Sequence, residues 1–448
     1  MTTANIKSAD PGAIDSAADP AAWGARHAHD PTVVRDDDGT YYMFSTDSVA
    51  NSQNIPAGVH IRTSSDLVDW TYAGTALDGV PGPAAEWSGA KGLWAPEVVR
   101  WESGDWHMYY SASTFGSNTS AIGLAVAPSP AGPWRDRSLV VATRSGLHSQ
   151  NAIDAAVTFD ADGAPWLTYG SFFSGIYILP LDRTSGMPLV EGDLGEAIAR
   201  RPKSVEGAVE GAFILRRPDD GRYVLFASYD SLFSSYNVRV AVADSITGPY
   251  RDFHGRAMTD LDAPPASVGT KVLGSHQFDG GTGWLAPGHN SVLTQDGPDG
   301  NPEHFMVHHV RFAADPSEHV VQLRRLFFNS AGWPLVSPQP FAGREAEMLP
   351  APEPVAGTWQ VLRYDPDSTS MVTAVAAELV SGVSMVSDGT PALARLFIAG
   401  EQDGSGESVE LDAVVFGSWD WVLSRPALSF SGIDQHGVAW SGTRGGAS

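Results

Sequence analysis

Hydrophobic and polar positions along the chain form short alternating runs, and a polar turn that contains glycine introduces each run. Five runs share one pattern, an Asp-Gly or Ser-Gly turn followed by an aromatic-rich alternating segment, at residues 37–44, 103–110, 161–169, 219–226 and 298–307. Alternation with period two is typical of β-strands, and glycine tolerates the positive φ of a tight hairpin. Each segment therefore predicts a hairpin that joins a first strand to a second.

A second set of alternating runs follows the first set in phase, at residues 58–62, 123–127, 175–179, 237–241 and 321–325. Each is expected to be a third strand, followed by an outer fourth strand. Five units of roughly 60 residues, with about four short strands each, are typical of the blades of a β-propeller. A chance recurrence of turns in a β-sandwich is the alternative, and two markers that repeat in phase favour the propeller.

The repeats end near Phe341, before a proline-rich segment at residues 349–354. Period-two alternation then resumes at residues 357–361, 409–415 and 427–432. We predict an all-β protein with an N-terminal extension over residues 1–24, a five-bladed β-propeller over residues 25–345, and a small C-terminal β-barrel or sandwich over residues 352–448.

Composition narrows the class of partner. The formal net charge of -24 repels nucleic acid and anionic membrane surfaces, so we expect neither as a partner. The sequence has no cysteine, which excludes thiolate metal sites and cysteine nucleophiles. No secretion signal is visible at residues 1–20. The protein is expected in the cytoplasm if this N-terminus is native, and outside the cell if a leader has been removed.

An ionisable residue stands near the start of every predicted first strand: Asp30, Glu97, Asp154, Glu210 and His289. First strands line the central channel of a propeller, so these side chains are expected to converge at one mouth. Glycoside hydrolysis needs one protonated carboxyl and one ionised carboxylate, and clustering of carboxylates raises at least one pKa. The joint pattern predicts a glycosidase site, whereas each residue taken alone also fits a turn, a cap or a solvated strand position.

Six stretches make residues 25–345 similar to glycoside hydrolase family 43, and within it to the two-domain α-1,5-L-arabinanases: residues 29–31, 92–97, 151–154, 209–214, 235–240 and 287–291. The resemblance implies hydrolysis of arabinan with inversion, with Asp30 as general base and Glu210 as general acid. Asp154 would tune the acid and position the substrate. Inversion implies about 6.5–9.5 Å between the Asp30 and Glu210 carboxyls. Family members commonly have proline at the position of Ala212, a departure that leaves the catalytic assignment in place.

The resemblance also implies contacts to substrate and to a cation. Trp94 and Phe115 are expected to stack on sugar rings, with packing in the blade core as the alternative for both. Hydrogen bonds to the substrate are expected from Asn151, Ser171 and Tyr229. A cation, usually calcium, is implied in the channel near His289, where one imidazole would bond through the ion or its waters; an ordinary hydrogen-bonded channel histidine is the alternative. No organic cofactor is expected.

Other functions remain open at this point. An α-L-arabinofuranosidase or β-xylosidase of the same family would use the same three carboxylates and differ in the loops at the mouth. A propeller that binds carbohydrate without catalysis has no need of three carboxylates at the blade starts. Glu206 would point to the same side of a strand as Glu210, and the family pattern favours Glu210 as the acid. In each case the expected partner is a neutral polysaccharide or oligosaccharide, with arabinan as the first choice.

Overall fold

A computed structural model of the protein describes residues 19–49, 55–399 and 408–445. Within these ranges the chain is built almost wholly from β-strands, with two short α-helices, α1 (Gly82–Ser88) and α2 (Arg344–Glu347). Neither helix is long and apolar enough to cross a membrane. The all-β prediction is confirmed. Residues 1–18 of the predicted N-terminal extension, and residues 400–407 and 446–448 of the predicted C-terminal domain, lie outside the described residues.

Five antiparallel sheets follow one another along the chain, each with its strands paired in chain order. They are sheet 1, with β1 (His29–Arg35), β2 (Tyr41–Thr46), β3 (His60–Ser64) and β4 (Thr71–Thr75); sheet 2, with β5 (Trp94–Arg100), β6 (Trp106–Ala112), β7 (Ser120–Ala127) and β8 (Arg135–Thr143); sheet 3, with β9 (Ala156–Phe159), β10 (Pro165–Tyr169), β11 (Ile176–Pro180) and β12 (Glu196–Ala199); sheet 4, with β13 (Val209–Arg216), β14 (Tyr223–Tyr229), β15 (Asn237–Ala243) and β16 (Thr270–Leu273); and sheet 5, with β17 (His276–Gln277), β18 (Trp284–Asp296), β19 (Pro302–Phe312), β20 (His319–Phe328) and β21 (Pro334–Val336).

The predicted hairpin turns join β1, β5, β9, β13 and β18, which we call the first strands of the five sheets, to the strand that follows each of them. Their glycines, at positions 39, 104, 163, 221 and 300, have φ between +72° and +92°. A side chain at such a φ meets the carbonyl that follows it, so glycine is the residue that adopts it without strain. The spacing of the sheets therefore follows directly from the spacing of these turns.

The first strands of the five sheets contact one another in a closed circuit. β1 packs against β5, β5 against β9, β9 against β13, β13 against β18, and β18 against β1. Buried apolar side chains fill the space between each neighbouring pair of sheets, represented by Phe44 with Met108, Tyr109 with Leu167, Ile178 with Leu225, Phe226 with Met306, and Met43 with Phe305. Residues far apart in sequence are thereby brought together where the first strands begin, and we call that end of the circuit the site face.

The C-terminal strands form a second unit. A six-stranded closed barrel contains β23 (Gly357–Tyr364), β25 (Val375–Ser381), β27 (Ala392–Ile398), β28 (Val409–Asp420), β29 (Arg425–Asp434) and β30 (Ala439–Arg444). Two short strands, β22 (Glu353–Pro354) and β26 (Met385–Val386), pair with each other, and β24 (Val372–Thr373) extends sheet 5 beside β17. The barrel has its own core around Trp359 and Phe430, and its outer residues Val414 and Phe416 pack against sheets 4 and 5. The three period-two runs predicted near the C-terminus all lie in barrel strands.

Candidate active site

A residue in the left-handed region of φ stands near the start of the first strand in every sheet: Asp30 (φ 51°), Ala95 (39°), Asp154 (60°), Gly211 (55°) and His289 (48°). In four sheets the pairing with the second strand shifts register at this point, as in a β-bulge. Residues other than glycine adopt this conformation at a cost, and such positions cluster at functional sites. A bulge also changes the direction of nearby side chains. The repeated distortion therefore determines the direction in which the polar side chains of the site face point.

The backbone N–H of each left-handed residue donates a hydrogen bond to a side chain of the preceding sheet. The donors and acceptors are Asp30 N to His309 Nδ1 (3.4 Å), Ala95 N to Thr46 Oγ1 (2.8 Å), Asp154 N to Ser111 Oγ (2.9 Å), Gly211 N to Asp154 Oδ2 (3.3 Å) and His289 N to Ser228 Oγ (2.7 Å). The sequence of bonds passes from each sheet to the next and returns to sheet 1. The distorted strand starts are therefore positioned by their neighbours.

Asp30 is the ionised carboxyl of the site. Its Oδ1 lies 2.8 Å from His29 Nδ1 and 3.0 Å from His289 Nδ1, and Thr46 Oγ1 donates to its Oδ2 at 2.6 Å. Burial would raise the pKa of Asp30, but the imidazoles of His29 and His289 outweigh burial and hold the pKa well below its usual range. A carboxylate that stays charged at neutral pH is suited to accept a proton.

Glu210 is a buried carboxyl of the opposite character. Ser171 Oγ donates to its Oε2 at 2.6 Å, and the Tyr236 hydroxyl donates to its Oε1 at 2.5 Å. Burial raises the pKa of Glu210, and these two hydrogen bonds offset only part of the rise. Separate environments thus push the pKa values of Asp30 and Glu210 in opposite directions, which is the arrangement that acid–base chemistry needs.

Asp154 is a third buried carboxyl, and its pKa responds to the charges of both Asp30 and Glu210. Burial raises its pKa to about 8, the charge of His289 lowers it, and the nearby carboxyls of Glu210 and Asp30 raise it. The Gly211 N–H, next to Glu210 in the chain, donates to Asp154 Oδ2 at 3.3 Å. Asp154 and the acid residue are therefore held by one short segment of backbone.

His289 carries the positive charge of the cluster. Burial disfavours its charged form, yet Asp30 and Asp154 outweigh burial and raise the pKa of the imidazole to about 10. A Cβ placed on Gly211 would lie 2.9 Å from His289 Cγ, so the backbone beside Glu210 passes against the imidazole ring. The carboxyls predicted from sheets 1, 3 and 4 consequently belong to one cluster around His289.

The predicted substrate contacts fall into two groups. Trp94 is half-buried at the start of β5, next to Ala95, whose N–H is bonded to Thr46. Phe115 is 81 % exposed on the connection between β6 and β7. Trp94 and Phe115 are both placed where a ligand on the site face can meet them.

The three predicted hydrogen-bonding residues are instead turned inward. Ser171 holds Glu210, as described above. Asn151 is buried; its Oδ1 accepts from Ser120 Oγ at 2.7 Å and its Nδ2 donates to the Ser171 carbonyl at 3.4 Å. Tyr229 is fully buried in the core between sheets 3 and 4, with its hydroxyl 3.8 Å from Met258 Sδ. The structure thus brings Ser171 and Asn151 to the acid as supporting residues, whereas the side chain of Tyr229 points into the core.

Glu206 does not lie in a strand with Glu210. It is exposed and follows a single 3-10 turn, Lys203–Val205, with φ 58°. The assumption of a continuous strand from Glu206 to Glu210 is therefore wrong, because β13 begins only at Val209. The preference for Glu210 gains support from this placement.

Two polar residues near His289 bear on the predicted cation. Burial raises the pKa of Glu97 to about 8, and this carboxyl lies close enough to His289 for the imidazole charge to lower that value. The buried amide of Asn290 has no hydrogen-bond partner for either side-chain atom among the described residues. Calcium takes six to eight oxygen ligands, and Glu97 is a carboxyl whose charge interacts with His289. One carboxyl and one imidazole are too few for an all-protein cage, so any cation held here would keep most of its water.

Tyr236 and Thr46 are functional candidates that sequence reasoning missed. Both act through hydroxyls on second-strand or loop positions, and neither stands out from the many tyrosines and threonines of the sequence. The stretch at residues 235–240 contains Tyr236 and was part of the resemblance, but its contact with Glu210 depends on how the loop before β15 folds.

Residues 24–334 match Glycosyl hydrolases family 43. The chain belongs to this family. It is 27 % identical over 456 residues to the extracellular endo-α-(1→5)-L-arabinanase 2 of Bacillus subtilis, a match that covers 93 % of this chain and 92 % of the relative. Family 43 membership makes the chain a glycosidase, and a carbohydrate-binding propeller without catalysis is not supported.

Similarity to solved structures extends beyond residues 24–334 to most of the chain. The endo-1,5-α-L-arabinanase of Thermotoga petrophila matches with a TM-score of 0.78 and 27 % identity, covering 94 % of this chain and 99 % of that one. The α-L-arabinanase of Cellvibrio cellulosa complexed with arabinohexaose matches with a TM-score of 0.59 and 31 % identity, covering 69 % of this chain and 95 % of that one. The first of these matches covers the barrel as well as the five sheets.

Proposed function

We propose that this glycosidase hydrolyses α-1,5-linked L-arabinan or arabino-oligosaccharides with inversion of configuration. One observation carries the proposal: Asp30, with its lowered pKa, and Glu210, with its raised pKa, belong to one buried cluster. The names of the Bacillus and Thermotoga relatives support arabinan as the polymer, and the arabinohexaose in the Cellvibrio complex supports an oligosaccharide ligand.

In this mechanism Glu210 protonates the glycosidic oxygen as the bond to the leaving sugar breaks. Asp30 accepts a proton from the water that attacks the anomeric carbon from the opposite side. Ser171 and Tyr236 orient the Glu210 carboxyl, and Thr46 orients Asp30. Asp154 shares the buried site with Glu210, and because two carboxyls there do not both ionise readily, the pair retains at least one proton.

We infer that the five sheets are the blades of a five-bladed β-propeller over residues 25–345, followed by a C-terminal barrel domain over residues 352–448. The closed circuit of first strands supports the propeller, and the separate core around Trp359 supports the second domain. Trp23, before the proposed boundary, is buried against sheet 1 through His60 and Tyr72, so the end of the extension packs on the first blade.

We also propose that a cation such as calcium binds beside His289, with oxygens from Glu97 and water. Asp30, Asp154 and Glu210 together raise the pKa of His289, and the same negative field that holds a proton there attracts a cation in its place. When bound, the ion supplies positive charge that stabilises the surrounding carboxylates. Dialysis against EDTA should lower the melting temperature, and calcium should restore it; an unchanged melting temperature, with no calcium in elemental analysis of the untreated protein, would remove this proposal.

The proposed reaction is tested by two variants on two kinds of substrate. Glu210→Ala should abolish turnover of linear arabinan but keep part of the rate on a nitrophenyl arabinofuranoside, whose leaving group needs little protonation. Asp30→Ala should be inactive on both. Equal losses on both substrates for Glu210→Ala would contradict the acid role, and NMR of the first-formed anomer distinguishes inversion from retention.

The substrate panel also separates the proposed polymer from the other family 43 activities considered above. Arabinan should be cleaved faster than arabinoxylan or small arabinofuranosides and xylosides. Activity on the small glycosides alone would assign the chain to the arabinofuranosidases or β-xylosidases instead.

A further inference from the structure

Two exposed phenylalanines meet above the site face. Phe115 is 81 % exposed and Phe233 is 54 % exposed, and their ring centroids lie 6.3 Å apart with an interplanar angle of 59°. This separation is within the range of an attractive aromatic pair. The contact is unusual in its connectivity, because Phe115 follows β6 in sheet 2 and Phe233 follows β14 in sheet 4. Sheet 3 lies between them in the circuit, so the pair bridges two sheets that are not neighbours.

Phe233 lies on the same loop as Tyr236, which contacts the proposed acid. Both phenylalanines lie on the connection between a second and a third strand, and in an antiparallel sheet this connection is at the end where the first strand begins. Tyr236, on the same loop as Phe233, donates its hydroxyl to Glu210 Oε1 at 2.5 Å. The bridge therefore crosses the site face over sheet 3, which carries Asp154 and Ser171.

Hydrogen bonds hold both loops, the β6–β7 loop with Phe115 and the β14–β15 loop with Phe233, in place. Arg311, from β19 of sheet 5, donates its Nε to the Leu232 carbonyl at 2.8 Å, and its guanidinium lies 5.1 Å from the centroid of the Phe233 ring. Asn118 Nδ2, on the Phe115 loop, donates to the carbonyls of His148 and Gln150 at 2.9 and 3.0 Å. Both rings therefore project from loops that hydrogen bonds hold in place.

We propose that the Phe115–Phe233 pair is a fixed roof over one side of the cleavage site, and that it determines the length of the products released from the polymer. The inference rests on the proposed arabinanase function and adds a determinant of its specificity. A roof limits how many sugar units extend from the cleaved bond on the side of sheet 3, between the loops that carry Phe115 and Phe233. Short products should therefore dominate early in the reaction.

The test compares Phe115→Ala, Phe233→Ala and the double variant with the wild type on linear arabinan. The fall in viscosity per new reducing end and the size distribution of the early products are measured. Each single variant should release longer early products than the wild type and raise the viscosity loss per cleaved bond above the wild-type value. The double variant should match the single variants, because either substitution alone opens the roof.

Two controls keep the outcome specific. Leu189→Ala removes a 61 % exposed apolar side chain on the β11–β12 connection at the opposite end of sheet 3, and it should leave the products unchanged. The rate of Phe233→Ala on a nitrophenyl arabinofuranoside, which occupies one sugar position, should stay within about twofold of the wild type.

The possible failures are distinguishable. A wild type that does not cleave linear arabinan overturns the proposed function. A wild type that cleaves it, with Phe233→Ala giving the same products and viscosity ratio, overturns the roof. Independent, multiplying losses of arabinan affinity in the two single variants also overturn it, because they mean that each ring only stacks on sugar.

Discussion

Tyr236→Phe removes one hydrogen-bond donor from the Glu210 carboxyl and keeps the aromatic ring. In the wild type the Tyr236 hydroxyl donates to Oε1 at 2.5 Å, and Ser171 Oγ donates to Oε2 at 2.6 Å. Burial raises the pKa of Glu210, and both hydrogen bonds oppose that rise because they favour the ionised form. Loss of one bond therefore raises the pKa of Glu210 further.

The size of the change follows from the strength of the lost bond. A hydrogen bond to a charged group contributes about 1.5–3 kcal/mol, and one between neutral groups about 1 kcal/mol. The difference of roughly 1.5 kcal/mol corresponds to about one pKa unit. A general acid works while it is protonated, so activity is lost as pH rises through its pKa. The alkaline limb of kcat/KM should move to higher pH by about one unit, and the acid limb should stay where it is.

Initial rates on linear arabinan across the pH range measure both limbs. Because Asp154 and Glu210 interact, the alkaline limb reports the pair, and the shift of the limb is the quantity to compare. Tyr229→Phe is the matched control, since the Tyr229 hydroxyl donates to Met258 Sδ at 3.8 Å and not to a carboxyl of the site. An alkaline limb that stays in place, or moves to lower pH, in Tyr236→Phe would refute the proposed hold on the acid.

Three further substitutions test other parts of the structure. Gly211→Ala places a Cβ 2.9 Å from His289 Cγ at φ 55°, so kcat should fall by more than about tenfold and stability by about 1–3 kcal/mol; kinetics and thermal melting measure both, and a fully active variant would contradict the tight approach. Thr46→Val removes the hydroxyl that donates to Asp30 and accepts from the Ala95 N–H. The buried Ala95 N–H is then unpaired, which should lower the free energy of unfolding by about 1–3 kcal/mol in chemical denaturation; an unchanged free energy of unfolding would count against this role of Thr46. Burial raises the pKa of Glu347 to about 8, so its stabilising contribution is present at low pH and is lost as pH rises toward that value. Glu347→Gln should therefore show a smaller fall in melting temperature between about pH 5 and about pH 8, and parallel curves for variant and wild type would exclude this role.

The local features of the chain follow from its sequence. Period-two alternation and five turn glycines predict the strands and the hairpins, because these depend on residues that are near neighbours in the chain. The same periodicity predicts the C-terminal strands. The carboxylates at the blade starts were also visible, because a repeat places equivalent residues at equivalent positions. Glu97 was assigned to the same position by spacing, but the left-handed residue of its strand is Ala95, so Glu97 lies two residues further along.

Only the tertiary structure decided which partners each side chain has. Closure of the circuit brings His289 to Asp30 across most of the sequence, and this contact separates the ionised carboxyl from the protonated one. The loop before β15 brings Tyr236 to Glu210, while Tyr229, only seven positions earlier, packs into the core. The contact between Phe115 and Phe233 needs two loops from sheets that are not neighbours. Such contacts depend on the packing of whole sheets, and no local pattern in the chain encodes them.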